Sequence, residues 1–176
     1  MSTPPLRLFF AIPCCPQLAR DIAEWRAQHP FDGKPVAPEN LHMTIAFLGS
    51  QSRGQVEALE TLANGLEPFG FTLHLDRLAR WKNGLLHLAP SKVPQALFDL
   101  ERDLRERLLA SGYELESRPF KPHLTLARHC PKLPAAQTPT FDWPATEFSL
   151  FASENTIKGT RYRVLGQWPL RPPAPS

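Results

Sequence analysis

The chain has 176 residues and a formal charge of +3, from 20 Lys and Arg against 17 Asp and Glu. That length fits one domain, or two small lobes sharing a core, and 42 % hydrophobic residues suffice for a sizeable interior. The charge is too mild for a protein that coats long nucleic acid by charge alone, but it leaves room for a small anionic substrate in a locally basic cleft.

In chain order, "LRLFFAI" (6–12) predicts a strand. Pro16 to His29 follows with Leu18, Ile22 and Trp25 at helical spacing, and Pro30 ends it. Residues 31–40, "FDGKPVAPEN", read as a loop, and "LHMTIAFLG" (41–49) as a strand closed by Gly49. Val56, Leu59, Leu62 and Leu66 mark a second helix. "FTLHLDRLARW" (71–81) alternates like a strand, Asn83-Gly84 signals a turn, and "LLHLAP" (85–90) returns as its hairpin partner. Leu97, Leu100, Leu104 and Leu108 form one stripe of a third helix, with Gly112 placed to terminate it. A strand is expected at 123–127, irregular Pro-rich chain at 131–144, and two more strands at 146–153 and 161–170, with a tail frayed from about residue 171. The order implies an α+β fold whose lobes face each other across a cleft, residues 1–176 forming one such domain.

Three cysteines, Cys14, Cys15 and Cys130, make a poor disulfide framework because the count is odd and two are adjacent. The first residues lack an apolar run long enough for a signal peptide, and no stretch approaches the roughly 20 apolar residues of a membrane span. A reduced, cytoplasmic, soluble protein without a membrane partner is expected, and a monomer.

One detail departs from ordinary strand patterning. In "LHMTIAFLG", Leu41, Met43, Ile45 and Phe47 share one face, and His42, Thr44 and Ala46 the other. "KPHLTLAR" repeats the arrangement with His123 and Thr125. Six His and ten Thr give about 0.3 chance occurrences of His-x-Thr in a chain of this length. One occurrence is noise; two, each inside an apolar strand, are a signal. His29, His74, His87 and His129 have no such companion and read as surface or structural residues.

Two imidazoles titrate near neutrality and can serve as base and acid in one displacement. Two hydroxyls beside them can hold an anion. A phosphorus centre needs this set: in-line attack, a proton taken from the nucleophile and one given to the leaving oxygen. The arrangement calls for no metal and no cofactor. A zinc site built from His123, His129 and Cys130 is the weaker reading, since seven positions along a strand span over about 20 Å. Cys14 and Cys15 lie at a helix entrance, where a thiol can be activated, but have no companion pattern.

As a set, "RLFFAIP", "PENLHMTIAFLG", "RPFKPHLTLAR" and "RYRVLGQWPL" resemble the bacterial and archaeal RNA 2′,3′-cyclic phosphodiesterases of the two-histidine (2H) phosphoesterase superfamily, often called 2′-5′ RNA ligases. The resemblance runs from about residue 6 to 170 and rests on two H-x-T-x motifs. It implies a bilobal fold with two small antiparallel sheets facing across a cleft and helices outside. It implies hydrolysis of a 2′,3′-cyclic phosphate to a 2′-phosphate, on RNA 3′ ends or small cyclic nucleotides. Carried over, His42 is the acid that protonates O3′, His123 the base that activates water, and Thr44 and Thr125 hold the non-bridging oxygens.

Two positions depart from the family. Ala46 stands where some relatives carry a lysine, and His87 where relatives often have an aromatic or aliphatic residue; a cleft contact for His87 is left open. On strand parity Phe9, with Arg7 on the same face, is the candidate for stacking a base. Arg128 ends the second motif and is a candidate phosphate or sugar contact, although alternation turns it from the His123 side. Two other functions compete: a 2′-5′ RNA ligase joining the cyclic end to a 5′-hydroxyl, and a nucleotide-binding module without turnover. Two complete His/Thr pairs argue against the last.

Overall fold

A computed structural model describes residues 4–137 and 140–173. In chain order its elements are β1 (Leu6–Pro13), α1 (Pro16–Gln28), β2 (Lys34–Pro35), a 3-10 turn (Pro38–Asn40), β3 (His42–Gln51), α2 (Gln55–Asn64), β4 (Phe71–Arg80), β5 (Leu86–Pro90), α3 (Gln95–Ala110), β6 (Leu124–Arg128), β7 (Phe141–Ala145), β8 (Glu147–Thr156) and β9 (Gly159–Pro169). The strands form two antiparallel sheets, ordered β3-β1-β8-β9 and β2-β6-β5-β4-β7. The fold is α+β with two sheets, as expected.

Each lobe borrows a helix from the other's stretch of chain. Helix α1 leaves the first sheet yet packs on the second: Arg26 donates to the Leu126 carbonyl at 2.9 Å, and the Trp25 ring meets Phe141 edge-on at 5.8 Å. Helix α3 follows β5 of the second sheet but lies against β3 of the first, and α2 is tied to β9 by the Trp168 indole donating to Asn64 at 2.6 Å. The leucine stripe of α3 is wholly buried in one core shared with Phe10, Met43, Leu73, Trp143 and Phe148. Burying each such side chain stabilises by about 1.5–3 kcal/mol, so the lobes are bound by one common interior.

Bulges decide which side chains reach the cleft. Along β1, Phe10 pairs with Ala46 and Ala11 with Thr44, so Ile45 is an extra residue in β3. A second shift lies between Leu8, opposite Gly49, and Phe9, opposite Phe47. Bulges break the two-residue alternation. Phe47 therefore leaves the core face expected of it and stands 44 % exposed beside the His42 and Thr44 face, while Leu48 is buried in its place. In β6, Leu86 pairs with Ala127 but His87 with Thr125, making Leu126 the extra residue. Leu126 and Ala127 are both buried, and Arg128 swings out on the His123 side. Strict alternation had turned Arg128 away, and this bulge corrects it.

Three further differences have local causes. The segment expected to be irregular at 131–144 contains most of β7, whose Phe141, Trp143 and Ala145 point inward. Pro144 obscures the pattern, yet β7 is an edge strand, where a missing N–H is tolerated. Within the expected loop 31–40, β2 adds two residues beside Arg128 and Ala127. Arg171, expected to fray, exchanges main-chain hydrogen bonds with Pro68 and Gly70 at 2.8 and 2.7 Å; residues 174–176 lie outside those described, as do 138–139.

The bulged register makes a prediction. Phe10→Ala should cost about 3–5 kcal/mol, as for a buried ring, whereas Phe47→Ala should cost less than about 1 kcal/mol. Urea midpoints measure both, and equal losses would contradict the register.

Candidate active site

His42 opens β3, the edge of the first sheet, and His123 sits one residue before β6 of the second. The two strands approach each other, which brings His42, Thr44 and His123 to one cleft, while Thr125 lies opposite His87 across the β5–β6 pair. Each ring is held in the same way. The Nδ1–H of His42 donates to the Asn40 carbonyl at 2.6 Å, and that of His123 to the Lys121 carbonyl at 2.8 Å. A carbonyl only accepts, so Nδ1 carries the proton and Nε2 is left as the reactive nitrogen in the neutral ring. The Thr44 hydroxyl lies 3.0 Å from His42 Nε2. It donates to the neutral ring and accepts from the protonated one.

The carbonyl that orients His42 is itself anchored. Asn40 is 8 % exposed, and its side-chain amide donates to the Thr160 carbonyl on β9 at 2.9 Å. Around His42, the Phe9 ring lies 5.1 Å away and Tyr162 meets His42 edge-on, also at 5.1 Å. Phe9 is only 4 % exposed, covered by Phe151, Tyr162 and His42. Phe9 lies in the wall of the hollow beside His42, but so small an exposed area makes it a poor platform for stacking a base. Phe47, Trp81 and Phe120 line the cleft on the His123 side, and Phe9, Phe47 and Tyr162 on the His42 side.

Beside His123 stands a second imidazole. His87 is 3 % exposed, opposite Thr125 across the β5–β6 pair, with its ring 5.5 Å from His123. Trp81 packs on both, at 4.2 Å from His87 and 4.5 Å from His123. His87 also donates from Nδ1 to a carbonyl two residues upstream, that of Leu85, at 3.2 Å. His87 is thus a buried residue packed against Trp81 and His123, in line with a structural role and not a surface one. The sequence carried no signal for Trp81, Asn40 or Tyr162 at the site, because all three arrive by tertiary packing. His74, by contrast, pairs with Asp142 at 2.6 Å on the exposed face of the second sheet.

Burial pushes the His42 pKa down to about 4; the Asn40 hydrogen bond opposes this in part, and the neighbouring charges of His123 and Arg128 add to it. His123 is also lowered by burial, partly offset by the Lys121 carbonyl, and His87 likewise. Both catalytic candidates are therefore neutral at pH 7 in the free protein. Among the described residues, no three His, Cys, Asp or Glu side chains converge as a metal site. Cys130 is buried and donates to the Lys132 carbonyl at 3.2 Å, and burial raises the Cys14 thiol far above the range of an activated nucleophile. No helix among the described residues is long and apolar enough to cross a membrane.

Two sheets that bring a pair of carbonyl-locked imidazoles and the Thr44 hydroxyl to one cleft define a two-histidine phosphoesterase site. The model of the 2'-5' RNA ligase superfamily matches residues 15–153, and the chain belongs to that family. It is 40 % identical to the RNA 2',3'-cyclic phosphodiesterase of Escherichia coli K12, over 94 % of this chain and 97 % of that one. It is 33 % identical to the RNA 2',3'-cyclic phosphodiesterase of Thermus thermophilus, covering 94 % and 91 % respectively. The crystal structure of E. coli LigT complexed with 3'-AMP superposes with a TM-score of 0.86 at 39 % identity, over 94 % of this chain and 98 % of LigT.

The electrostatics predict a titration. In the ligand-free protein the His42 ring should titrate at about pH 4, read from its proton NMR shifts. Its folded pKa lies below the unfolded value of about 6.5, so the unfolded chain takes up a proton first as pH falls. Stability should then be full above about pH 6.5 and decline down to about pH 4. A His42 midpoint near 6.5, with no such decline, would contradict the buried site.

Proposed function

We propose that the protein hydrolyses the 2′,3′-cyclic phosphate at an RNA 3′ end to a 2′-phosphate, by acid–base catalysis from His42 and His123 without a metal. The observation that carries this reading is the matched pair of imidazoles, each with Nδ1 locked to a main-chain carbonyl. The named activity of the relatives and the 3'-AMP complex of the E. coli protein support it.

In this mechanism His123 Nε2 takes a proton from water as the water oxygen attacks phosphorus. The P–O3′ bond breaks in line, and O3′ takes a proton from His42 Nε2. The ribose is left with a free 3′-hydroxyl and a 2′-phosphate, and the two rings have exchanged protonation states. Thr44 and Thr125 donate hydroxyl hydrogen bonds to the non-bridging oxygens, where charge develops. Arg128, brought to the cleft by the β6 bulge, compensates that charge.

His42 must carry a proton to act as the acid, yet the free protein holds it neutral. The substrate resolves this. A phosphate anion beside His42 offsets Arg128 and favours the charged ring, so its pKa rises on binding. Protonation of His42 and substrate binding are one coupled event.

The test is an oligonucleotide ending in a 2′,3′-cyclic phosphate, incubated with excess EDTA. A terminal 2′-phosphate should form. His42→Ala and His123→Ala should each lower turnover by roughly 10²-fold or more. Loss of activity in EDTA that a divalent ion restores, or near-parental rates in either folded variant, would overturn the mechanism. A joined 2′-5′ product in place of the phosphate would instead assign ligation.

A further inference from the structure

The cleft is not one hollow but two, which meet at Thr44 and Phe47. One, of about 410 Å³, runs past His123 toward Trp81, Asn83 and Phe120. The other, of about 260 Å³, runs past His42 toward Arg7, Ser153 and Asn155, with Arg128 on its wall. The first is lined by Phe47, Trp81 and Phe120, together with the ion pairs Glu101–Arg105 and Glu116–Arg118 and with Lys121. The second also carries rings, Phe9, Phe47 and Tyr162, but it has two guanidinium groups and no carboxylate in its lining, and neither Arg7 nor Arg128 is ion-paired among the described residues.

Ribose stereochemistry needs two such directions. When O2′ and O3′ are both on the reacting phosphorus, C1′ and C4′ lie at opposite ends of the sugar ring. The base leaves from one end and the 5′ carbon from the other. An aromatic hollow suits a base, which stacks on rings with little sequence preference. A hollow with unpaired arginines suits a phosphate.

The two arginines are placed for two phosphates. Arg128 shares the wall of its hollow with His42 and Thr44, near enough to disfavour the charge of His42, which places it for the reacting phosphate. Arg7 lies farther along β1, and its guanidinium stands over the Phe47 ring at 5.3 Å. Phe47 pairs with Phe9, two residues along β1 from Ala11, the partner of Thr44. Two strand residues span about 7 Å, comparable with one nucleotide step along an RNA strand.

We propose that Arg7, with Ser153 and Asn155 beside it, forms a second phosphate site that takes the phosphodiester on the 5′ side of the terminal ribose, while the base lies in the Trp81 hollow. The substrate is then the end of a polynucleotide and not a free cyclic nucleotide. This deepens the cyclic phosphodiesterase reading and rests on it. Arg7 makes no bond in the reaction; it contributes binding that only a 5′-phosphorylated substrate can use.

The experiment compares three substrates: uridine 2′,3′-cyclic phosphate, the same compound bearing a 5′-phosphate, and a dinucleotide ending in 2′,3′-cyclic phosphate. The parent should favour the second and third over the first by about 10-fold or more in kcat/KM, the usual size of one charge-assisted contact. Arg7→Gln should bring that ratio toward one, chiefly through KM, and Arg7→Lys should keep part of it. Unchanged thermal melting of both variants shows that folding is intact. A parent that turns over all three equally, or an Arg7→Gln variant that slows all three by one factor, would overturn the second site. A parent inactive on every cyclic phosphate would instead overturn the phosphodiesterase reading beneath it.

Discussion

The site depends on one repeated contact: an imidazole Nδ1–H donated to the carbonyl two residues earlier. It occurs at His42, at His123 and, at longer range, at His87. Each contact fixes a tautomer and an orientation together; at His42 and His123 it leaves Nε2 available to the cleft, while the His87 ring stays buried. Reactive groups held in place in advance need no reorganisation at the moment of reaction. The rest of the fold serves these carbonyls. The β8–β9 hairpin holds the Asn40 carbonyl through Thr160, and Trp81 wedges His123 and His87 together.

Burial has a second consequence. A shielded ring loses its proton more readily, and the nearby positive charge of Arg128 reinforces the effect at His42. In the free protein the cleft therefore holds neutral imidazoles beside guanidiniums that have no ion-pair partner among the described residues. In the proposed mechanism an arriving phosphate supplies the charge that lets one ring become an acid. Electrostatic recognition and catalytic readiness are thus one property of the cleft, which also explains why a net charge of only +3 suffices.

The helices and most strands were legible because their periods are clean: the leucine stripe of α3 and the alternation of β4 each match one template. The two His/Thr pairs were legible because they repeat. What alternation could not disclose was where it breaks. The extra residues Ile45 and Leu126 leave no mark in the sequence, yet they turn Phe47 and Arg128 into the cleft. Phe9 misled for a related reason. Parity placed it on the correct face, but Phe151 and Tyr162, far along the chain, cover it. His87 and Asn40 became visible only when strands distant in sequence were paired. Pro144 hid β7 because a proline argues against a strand unless the strand is known to be an edge.

The central claim is that two oriented imidazoles act as complementary acid and base, with the proton of the acid loaded alongside the anionic substrate. The pH dependence of kcat and kcat/KM, for the parent and for each histidine variant, tests it most directly. The parent should show two limbs belonging to the pair, with the alkaline limb of kcat displaced above that of kcat/KM. His42→Ala should lose the alkaline limb and His123→Ala the acidic one. Limbs lost from the opposite variants would exchange the two roles. A parent profile that stays flat from about pH 5 to 9, with chemistry shown to be rate-limiting, would contradict the two-histidine mechanism itself.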